Sequence, residues 1–421
     1  MESARTEMKR AIQRSVIAMA ICIAATAFVG SSAPAEAASA SSAIVVGGQG
    51  DVSAFPGLAA GFEARIARFN RDGGLGGRKI KPLGVLDDNQ SPSTSAMHTQ
   101  QLVLDDHVFA DAPFESEVCE AGQGTLLAEN QTPFVGLGIC GAWSPTNKWG
   151  YAPAGYLSNP DVQTNEGDKQ IIDVTQKALH LSTPSKVKLA LIGIDAPNDQ
   201  ADVSALAGVA KGLGATVVYG EASVPFTVTN YVPYVQAILS SGANAVYEVL
   251  GTAGAVGLAA ALKAANFKGV IANAVAYFPG QLAGNPSEES ALQGTYVTSS
   301  WPVEQSNSPA SRQEMKDLKA IGRPNLGFGT SAGYWDADML VEMLQATAAR
   351  YGAANVTPSR MQQVASHFTY VSSLKGGICP LSYPKSFNAP AVGFTTVEVQ
   401  GSGYIEKIPY SCGQLVDVGS S

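Results

Sequence analysis

The segment KLALIGIDAPNDQADVSALAGVAKGLGATVVYG, residues 188–220, decides the fold class. Lys188–Ile194 is an apolar run with the length of a buried strand, and Ala215–Tyr219 is a second such run. Between them, Val203–Leu213 has the apolar spacing of a helix. A strand, a helix and a further strand in this order form a unit with two parallel strands. The segment therefore predicts an α/β fold.

The same alternation continues on both sides of this segment. Upstream we predict strands over 43–47, 79–86, 107–112 and 133–137, with helices over 58–70, 97–104 and 124–129. Downstream we predict strands over 245–250, 270–275 and 294–300, helices over 234–240, 255–265, 312–321, 334–351 and 358–367, and a β-hairpin over 392–409. A loop-rich stretch over 141–168 separates the two sets. The pattern predicts two doubly wound parallel-sheet lobes, whose ligands bind beyond the carboxyl ends of the strands.

Composition and the N-terminus point to an exported globular protein. Of 421 residues, 45% are hydrophobic and 15% are charged, which excludes a disordered chain. The net charge is −8 without a basic cluster, so we expect no nucleic-acid partner. Residues 1–37 combine a basic start, an apolar run over Ser15–Val29 and the cleavage pattern Ala35-Glu36-Ala37. This predicts a secretory signal peptide, with an uncleaved anchor as the alternative, and places the protein in the periplasm or at the extracellular cell surface.

Four cysteines follow the signal peptide, whereas Cys22 lies in its apolar run. An even number in an exported chain favours disulfides, and sequence proximity favours the pairs Cys119–Cys140 and Cys379–Cys412 among three connectivities. Zinc is the rival interpretation, but there is no C-x-x-C motif and the histidines are scattered. We expect neither a metal nor a cofactor.

Catalytic motifs are weak or missing. Gly48-x-Gly50-x-x-Ser53 lacks the third glycine of a dinucleotide fingerprint, and no G-x-S-x-G, H-E-x-x-H or P-loop occurs. The adjacent Asp87 and Asp88 point to opposite sides of a strand end, which favours a turn role over acid–base chemistry. The glycines of Gly251–Gly257 fit either a ligand held at a helix N-terminus or a tightly packed turn. We predict that the protein is not an enzyme.

Six stretches of the chain match a known sequence pattern: AAGFEARI (59–66), FNRDGGLGGRKI (69–80), VLDD (85–88), AENQTPF (128–134), LALIGID (189–195) and ALKAANFKG (261–269). They resemble the branched-chain amino acid (Leu/Ile/Val) substrate-binding proteins of ABC transporters. In that family a helix leads into "INAAGG-x-x-G-R-K-I", and the next strand ends in an Asp-Asp pair. The resemblance covers most of the chain after the signal peptide, and beyond Ser300 only the pattern matches.

This resemblance implies the type I periplasmic-binding-protein fold, in which two lobes joined by three crossover strands close on a small ligand. Matching loops place lobe 1 at residues 43–162 plus 297–385 and lobe 2 at residues 163–296 plus 386–421. The implied function is delivery of a solute to an ABC importer, with a permease as partner and a monomeric chain. The alternative is a ligand-sensing receptor domain, which would need a following membrane segment, whereas this sequence ends at Ser421.

The resemblance suggests Phe55 and Ser116 as ligand contacts on the strand-end loops, and the position after a strand suggests Tyr277. Candidates are Ser53, Phe55, Ser116, Glu117, Gly138, Ile139, Gly251, Thr252 and Tyr277. Phe55 is alternatively a core residue and Glu117 alternatively a helix cap. The family's clamp for an α-amino acid is largely missing, because Ile139-Cys140 replaces its Ala-Thr and Gly251–Leu262 contains no acid. We therefore expect an amide, a neutral or an aromatic metabolite rather than leucine, isoleucine or valine.

Overall fold

The computed structural model describes residues 43–418 except Ser158, Pro160, Ala196 and Phe226. The predicted signal peptide and Cys22 lie outside the described residues. Within this part of the chain, no helix is both long and apolar enough to span a membrane.

The first part of the chain forms a parallel five-stranded sheet flanked by helices. Its elements are β1 (Ile44–Gly50), α1 (Leu58–Arg71), β2 (Ile80–Asp87), α2 (Pro92–Gln100), β3 (Ala110–Glu115), α3 (Ala121–Glu129), β4 (Phe134–Gly136) and β5 (Gly150–Tyr151). The strands lie in the order β2-β1-β3-β4-β5. Helix α1 buries Leu58, Phe62, Ile66 and Phe69 because their spacing puts them on one face.

The middle of the chain builds a second sheet with its last five strands, whereas its first strand, over 162–164, pairs with residues 415–417 instead. Its elements are β6 (Val162–Thr164), α4 (Glu166–Leu179), β7 (Lys188–Ile194), α5 (Pro197–Gly212), β8 (Thr216–Val224), α6 (Val232–Ser241), β9 (Ala245–Val249), α7 (Gly251–Ala264), β10 (Val270–Asn273), α8 (Pro279–Leu282), α9 (Pro286–Leu292) and β11 (Tyr296–Ser299). The strands from β7 to β11 are parallel to one another. The predicted strand–helix–strand unit of residues 188–220 is thus confirmed.

The last part of the chain contributes to both lobes. Its elements are α10 (Pro309–Ala320), α11 (Phe328–Tyr351), α12 (Pro358–Ala365), β12 (Thr369–Tyr370), β13 (Leu381–Ser382), β14 (Gly393–Gln400), β15 (Gly403–Cys412) and β16 (Leu415–Asp417). Helices α10 and α11 pack on the first lobe, whereas the hairpin β14–β15 pairs with β11 and extends the second sheet to the order β15-β14-β11-β10-β9-β7-β8. The chain therefore passes between the sheets three times, after β5, after β11 and before β14, which confirms the predicted two-lobe fold.

Helices α1 and α11 cross in close contact in the core of the first lobe. A Cβ atom at Gly61 would collide with the carbonyl oxygen of Thr330, and one at Gly333 with that of Leu58. Beside this crossing, Arg65 Nε lies 2.7 Å from Asp338 Oδ1, and both side chains are buried. The first lobe therefore contains an ion pair inside its hydrophobic core, where it has little contact with water.

The structure departs from the sequence prediction at a few elements. Helix α4 begins inside the predicted loop-rich stretch 141–168, and helix α2 begins at Pro92, five residues before the predicted start, because Ser91 caps it by accepting a hydrogen bond from the Thr94 N–H. The predicted lobe-1 segment 297–385 starts inside β11, which belongs to the second sheet. The lobe boundaries otherwise stay a prediction.

Candidate ligand-binding site

Two neighbouring cavities lie between the sheets, where strand ends of both lobes face each other. We call the one that reaches the crossing segments the hinge cavity, with a volume of about 160 Å³, and the other the loop cavity, with about 540 Å³. Glu117, Ile194 and Gly251 line both cavities. Because these residues are shared, the two cavities form one cleft.

The hinge cavity is mostly apolar. Its aromatic lining residues are Phe55, Tyr247, Phe328 and Phe394. Its aliphatic lining includes Leu137, Ile139, Leu157, Ile194, Leu206, Val249, Ala274 and Val275. Its other polar lining residues are Glu117, Gln163, Asp202 and Ser300. This lining, with a few polar groups in an apolar wall, is typical of a small-molecule site.

The loop after β1 is fixed by a buried aspartate. The carboxylate of Asp51 accepts hydrogen bonds from the Ser53 N–H at 2.9 Å, the Ser53 hydroxyl at 2.6 Å and the Ala54 N–H at 3.0 Å. Ser53 lines the loop cavity, and Phe55 lines the hinge cavity with its ring 6.0 Å from that of Phe328. Phe55 is only 3% exposed, so it belongs both to the core and to the cavity wall.

A disulfide holds two further loops of the same wall. Cys119 and Cys140 are bonded and buried beside Phe114, Phe134 and Trp143. Glu117 stands two residues before the first cysteine and Ile139 one residue before the second, and both side chains line the hinge cavity. The second predicted bond, Cys379–Cys412, joins the segment before the last crossing to β15. Both predicted pairings are present.

Three predicted ligand residues line neither cavity. The buried Ser116 hydroxyl donates a 2.5 Å hydrogen bond to Asp88. Gly138 packs against the backbone of Gly155, where a Cβ would not fit. The hydroxyl of Tyr277 donates to Gln305 Oε1 at 2.8 Å and its ring packs 4.9 Å from that of Tyr404, so this side chain is a core contact between the loop after β10 and β15.

The Asp87-Asp88 pair organises the turn after β2. Asp87 Oδ1 accepts hydrogen bonds from the Val52 and Asn89 N–H groups, both at 3.2 Å. Asp88 accepts one from Gln90 N–H at 2.9 Å in addition to that of Ser116, while burial raises its pKa. These contacts agree with the turn role that the sequence favours.

The glycine-rich start of α7 forms part of the second-lobe wall. Gly251 adopts φ 70°, a left-handed conformation that suits glycine, and it lines the loop cavity together with Thr252. At Gly254 a Cβ would press on the Leu250 side chain, and at Gly257 it would collide with the Tyr231 ring. Close packing therefore accounts for Gly254 and Gly257, while ligand binding at Gly251 stays a prediction.

Buried carboxyl groups lie close behind the cleft. Burial, together with the facing carboxylate of Asp336, raises the pKa of Glu115 well above its ordinary value, and burial raises that of Asp336 to about 7. On β9, burial raises the pKa of Glu248 to about 8, and its Oε2 accepts the Leu250 N–H at 2.9 Å. Since Tyr247 and Val249 line the hinge cavity, Glu248 points away from it.

Sequence reasoning missed several cavity residues, above all Asp202, Gln163, Phe328 and Phe394. Asp202 lies on α5 one residue before the predicted helix start, so an acid of the second lobe lines the cavity although Gly251–Leu262 contains none. Phe328 and Phe394 follow the second and third crossings, beyond Ser300, where the resemblance keeps only the pattern. Only the three-dimensional structure shows that these two phenylalanines line the cavity.

The comparisons with known proteins agree with this architecture. A family model described as periplasmic binding protein matches residues 44–378, so the chain belongs to this family, the type I periplasmic binding proteins of ABC transporters. The family is one of exported, non-enzymatic proteins that bind small molecules and deliver them to permeases. A search of curated proteins by sequence finds no match.

Solved structures with this fold differ in their ligands. One is a solute-binding protein from R. palustris in complex with 4-hydroxybenzoate, with 19% identity, a TM-score of 0.67, and coverage of 88% of this chain and 98% of the other. A fatty acid ABC transporter substrate-binding protein from Thermomonospora curvata has 17% identity, TM-score 0.69, and coverage of 89% and 93%. A branched-chain amino acid ABC transporter protein from Thermus thermophilus with bound valine has 16% identity, TM-score 0.66, and coverage of 88% and 97%. At these identities the likeness concerns the fold alone.

Proposed function

We propose that this protein captures a small molecule in the cleft between its lobes and delivers it to an ABC importer. The supporting observation is the hinge cavity, which both lobes and the crossing segments line. Strand-end loops of the two sheets meet there, where a bending motion at the crossings opens or closes the cavity. Family membership supports the transport role.

We further propose that the ligand is not a branched-chain amino acid. An α-amino acid carries a carboxylate as well as an ammonium, and a carboxylate removed from water needs donors or a positive charge. The family that the sequence resembles holds this carboxylate with serine and threonine hydroxyls, whereas here the Ser116 hydroxyl donates to Asp88 and Cys140 is bonded to Cys119. Leucine, isoleucine and valine should therefore bind weakly, with dissociation constants in the millimolar range or above.

Solution scattering tests the capture of a ligand by lobe closure, and calorimetry tests the proposed ligand class. A thermal-shift screen of small amines, amides, aromatic acids and amino acids should identify at least one stabilising compound. X-ray scattering should then show a smaller radius of gyration at saturating compound, as expected for closure of two lobes. An unchanged radius argues against capture by closure, whereas sub-micromolar binding of leucine, isoleucine or valine contradicts the proposed ligand class.

A further inference from the structure

We propose that the ligand is a small organic cation with an apolar body, an amine without a carboxylate. This inference rests on the proposed function and specifies the ligand of the same cleft. Carboxylates from opposite lobes line the hinge cavity, Glu117 from the loop after β3 and Asp202 from α5. Between two such groups, a positive charge is attracted from both sides once the lobes close.

The charged side chains among the described lining residues of the cleft are all acidic. The loop cavity adds Glu288 to Glu117, and among the described residues that line the two cavities there is no lysine, arginine or histidine. The three arginines of α1 are engaged elsewhere: Arg65 pairs with Asp338 and Arg68 with Asp317, each at 2.7 Å, and Arg71 lies 3.5 Å from Asp317. A ligand carboxylate would therefore lose its hydration beside other carboxylates, without a side-chain cation to replace the water.

The apolar part of the ligand is indicated by the aromatic wall. Phe55 and Phe328 lie with ring centroids 6.0 Å apart, and Tyr247 and Phe394 complete the aromatic lining. Aromatic faces attract cations and also exclude water around an apolar group. The hinge cavity, with a volume of about 160 Å³, accommodates one ring or a short alkyl chain, and a longer ligand would extend into the loop cavity. The hydroxyl of Tyr247 lies 3.0 Å from that of Thr298, so the ring is held in place.

Three probes of nearly equal size and different charge test the inference. Benzylamine is a cation at pH 7.5, benzyl alcohol is neutral, and benzoate is an anion. Isothermal titration calorimetry on the mature protein should give a dissociation constant for benzylamine at least tenfold below that for benzoate. Glu117→Gln and Asp202→Asn should each weaken benzylamine at least fivefold, while benzyl alcohol changes less than twofold.

Glu129→Gln is the matched control, because it removes one exposed acid from the first lobe outside both cavities. It should leave all three affinities within twofold, and unchanged binding of benzyl alcohol shows that a variant is folded. Tighter binding of benzoate, no saturable binding of benzylamine, or insensitivity of benzylamine to both Glu117→Gln and Asp202→Asn overturns the inference. Benzoate binding with a decrease in radius of gyration would leave the proposed function intact, whereas binding of any probe without that decrease would count against the function.

Discussion

The first-lobe wall of the cleft is fixed by covalent and polar bonds, whereas the second-lobe wall is formed mainly by small and aliphatic residues. In the first lobe, the Cys119–Cys140 bond and the hydrogen bonds to Asp51 hold the loops that carry Glu117, Ile139 and Phe55. In the second lobe, the corresponding wall contains Gly251, Val249 and Ala274.

The two lobes also differ in the burial of their ion pairs. The described ion pairs of the first lobe include Arg65–Asp338, whose side chains are 4% and 0% exposed. In the second lobe, Lys169 and Asp173 form a pair whose side chains are 50% and 46% exposed. The contribution of an ion pair to stability depends on its burial, so breaking Arg65–Asp338 in the first lobe should cost far more than breaking Lys169–Asp173 in the second.

The largest effect is expected from breaking the buried pair. Asp338→Ala leaves Arg65 charged and buried, and it also removes the acceptor of the Tyr370 hydroxyl at 2.8 Å. We expect the free energy of unfolding to fall by about 3–5 kcal/mol in urea titrations. Asp173→Ala is the matched control in the second lobe and should cost less than about 1 kcal/mol. Equal losses for both variants would contradict the contrast between the lobes.

The second prediction concerns the two disulfides. Replacing Cys119 and Cys140 by serine removes a link across 21 residues, which should lower the free energy of unfolding by roughly 3 kcal/mol. The pair Cys379 and Cys412 spans 33 residues and should contribute about as much. Denaturant titrations should therefore give similar losses.

Ligand affinity should separate the two disulfides. Only the Cys119–Cys140 bond tethers loops with cavity-lining Glu117 and Ile139, so its loss should weaken the best compound of the thermal-shift screen more than loss of the other bond. Mass mapping of the unreduced protein that finds free thiols at Cys119 and Cys140 would contradict both expectations.

The sequence predicts the alternating elements well, because their apolar spacing is local. Helix α4 is the clearest omission, since its first turns bury polar residues whose partners lie far along the chain. Gln170 Nε2 donates to the Phe394 carbonyl oxygen at 2.9 Å, and the Ser411 hydroxyl donates to Glu166 Oε1 at 2.5 Å. These hydrogen-bond partners are more than 220 residues away in sequence, so the sequence does not indicate that the polar residues of α4 are buried.

The sequence predicts which loops line the cleft better than it predicts which side chains on those loops face the cavity. Ser53, Phe55, Glu117, Ile139, Gly251 and Thr252 line the cleft, whereas Ser116 lies on a cavity-lining loop but points into the core. Successive residues of a strand end face opposite sides. An alignment error of one position therefore assigns a core side chain to the cavity. Motif matching at low identity does not fix that register.

The third prediction uses pH to compare buried carboxyl groups in the two lobes. Since burial raises the pKa of Glu248 to about 8, the folded protein holds this proton more tightly than the unfolded chain. Its contribution to stability is fully present below about pH 4.5 and is lost as the pH rises through about 8. In Glu248→Gln, the fall in stability from pH 5 to pH 8 should be smaller by at least about 1 kcal/mol.

In the first lobe, Asp336→Asn should act in the same direction, because burial raises the pKa of Asp336 to about 7 beside Glu115. Urea titrations at pH 5, 6, 7 and 8 measure both variants, and Asp173→Asn serves as an exposed control. A pH profile of Glu248→Gln parallel to that of the wild type would show that Glu248 is ionised in the folded protein.

The smallest effect concerns Tyr277, a predicted ligand residue that the structure places in the core. Tyr277→Phe keeps the ring against Tyr404 and removes the hydroxyl that donates to Gln305 and accepts the Glu304 N–H at 3.2 Å. Loss of these hydrogen bonds should lower the free energy of unfolding by about 1 kcal/mol. Affinity for the best compound of the thermal-shift screen should stay within twofold in calorimetry, because the side chain lines neither cavity. A tenfold loss of affinity without a change in stability would instead support the ligand role that the position of Tyr277 after a strand predicts.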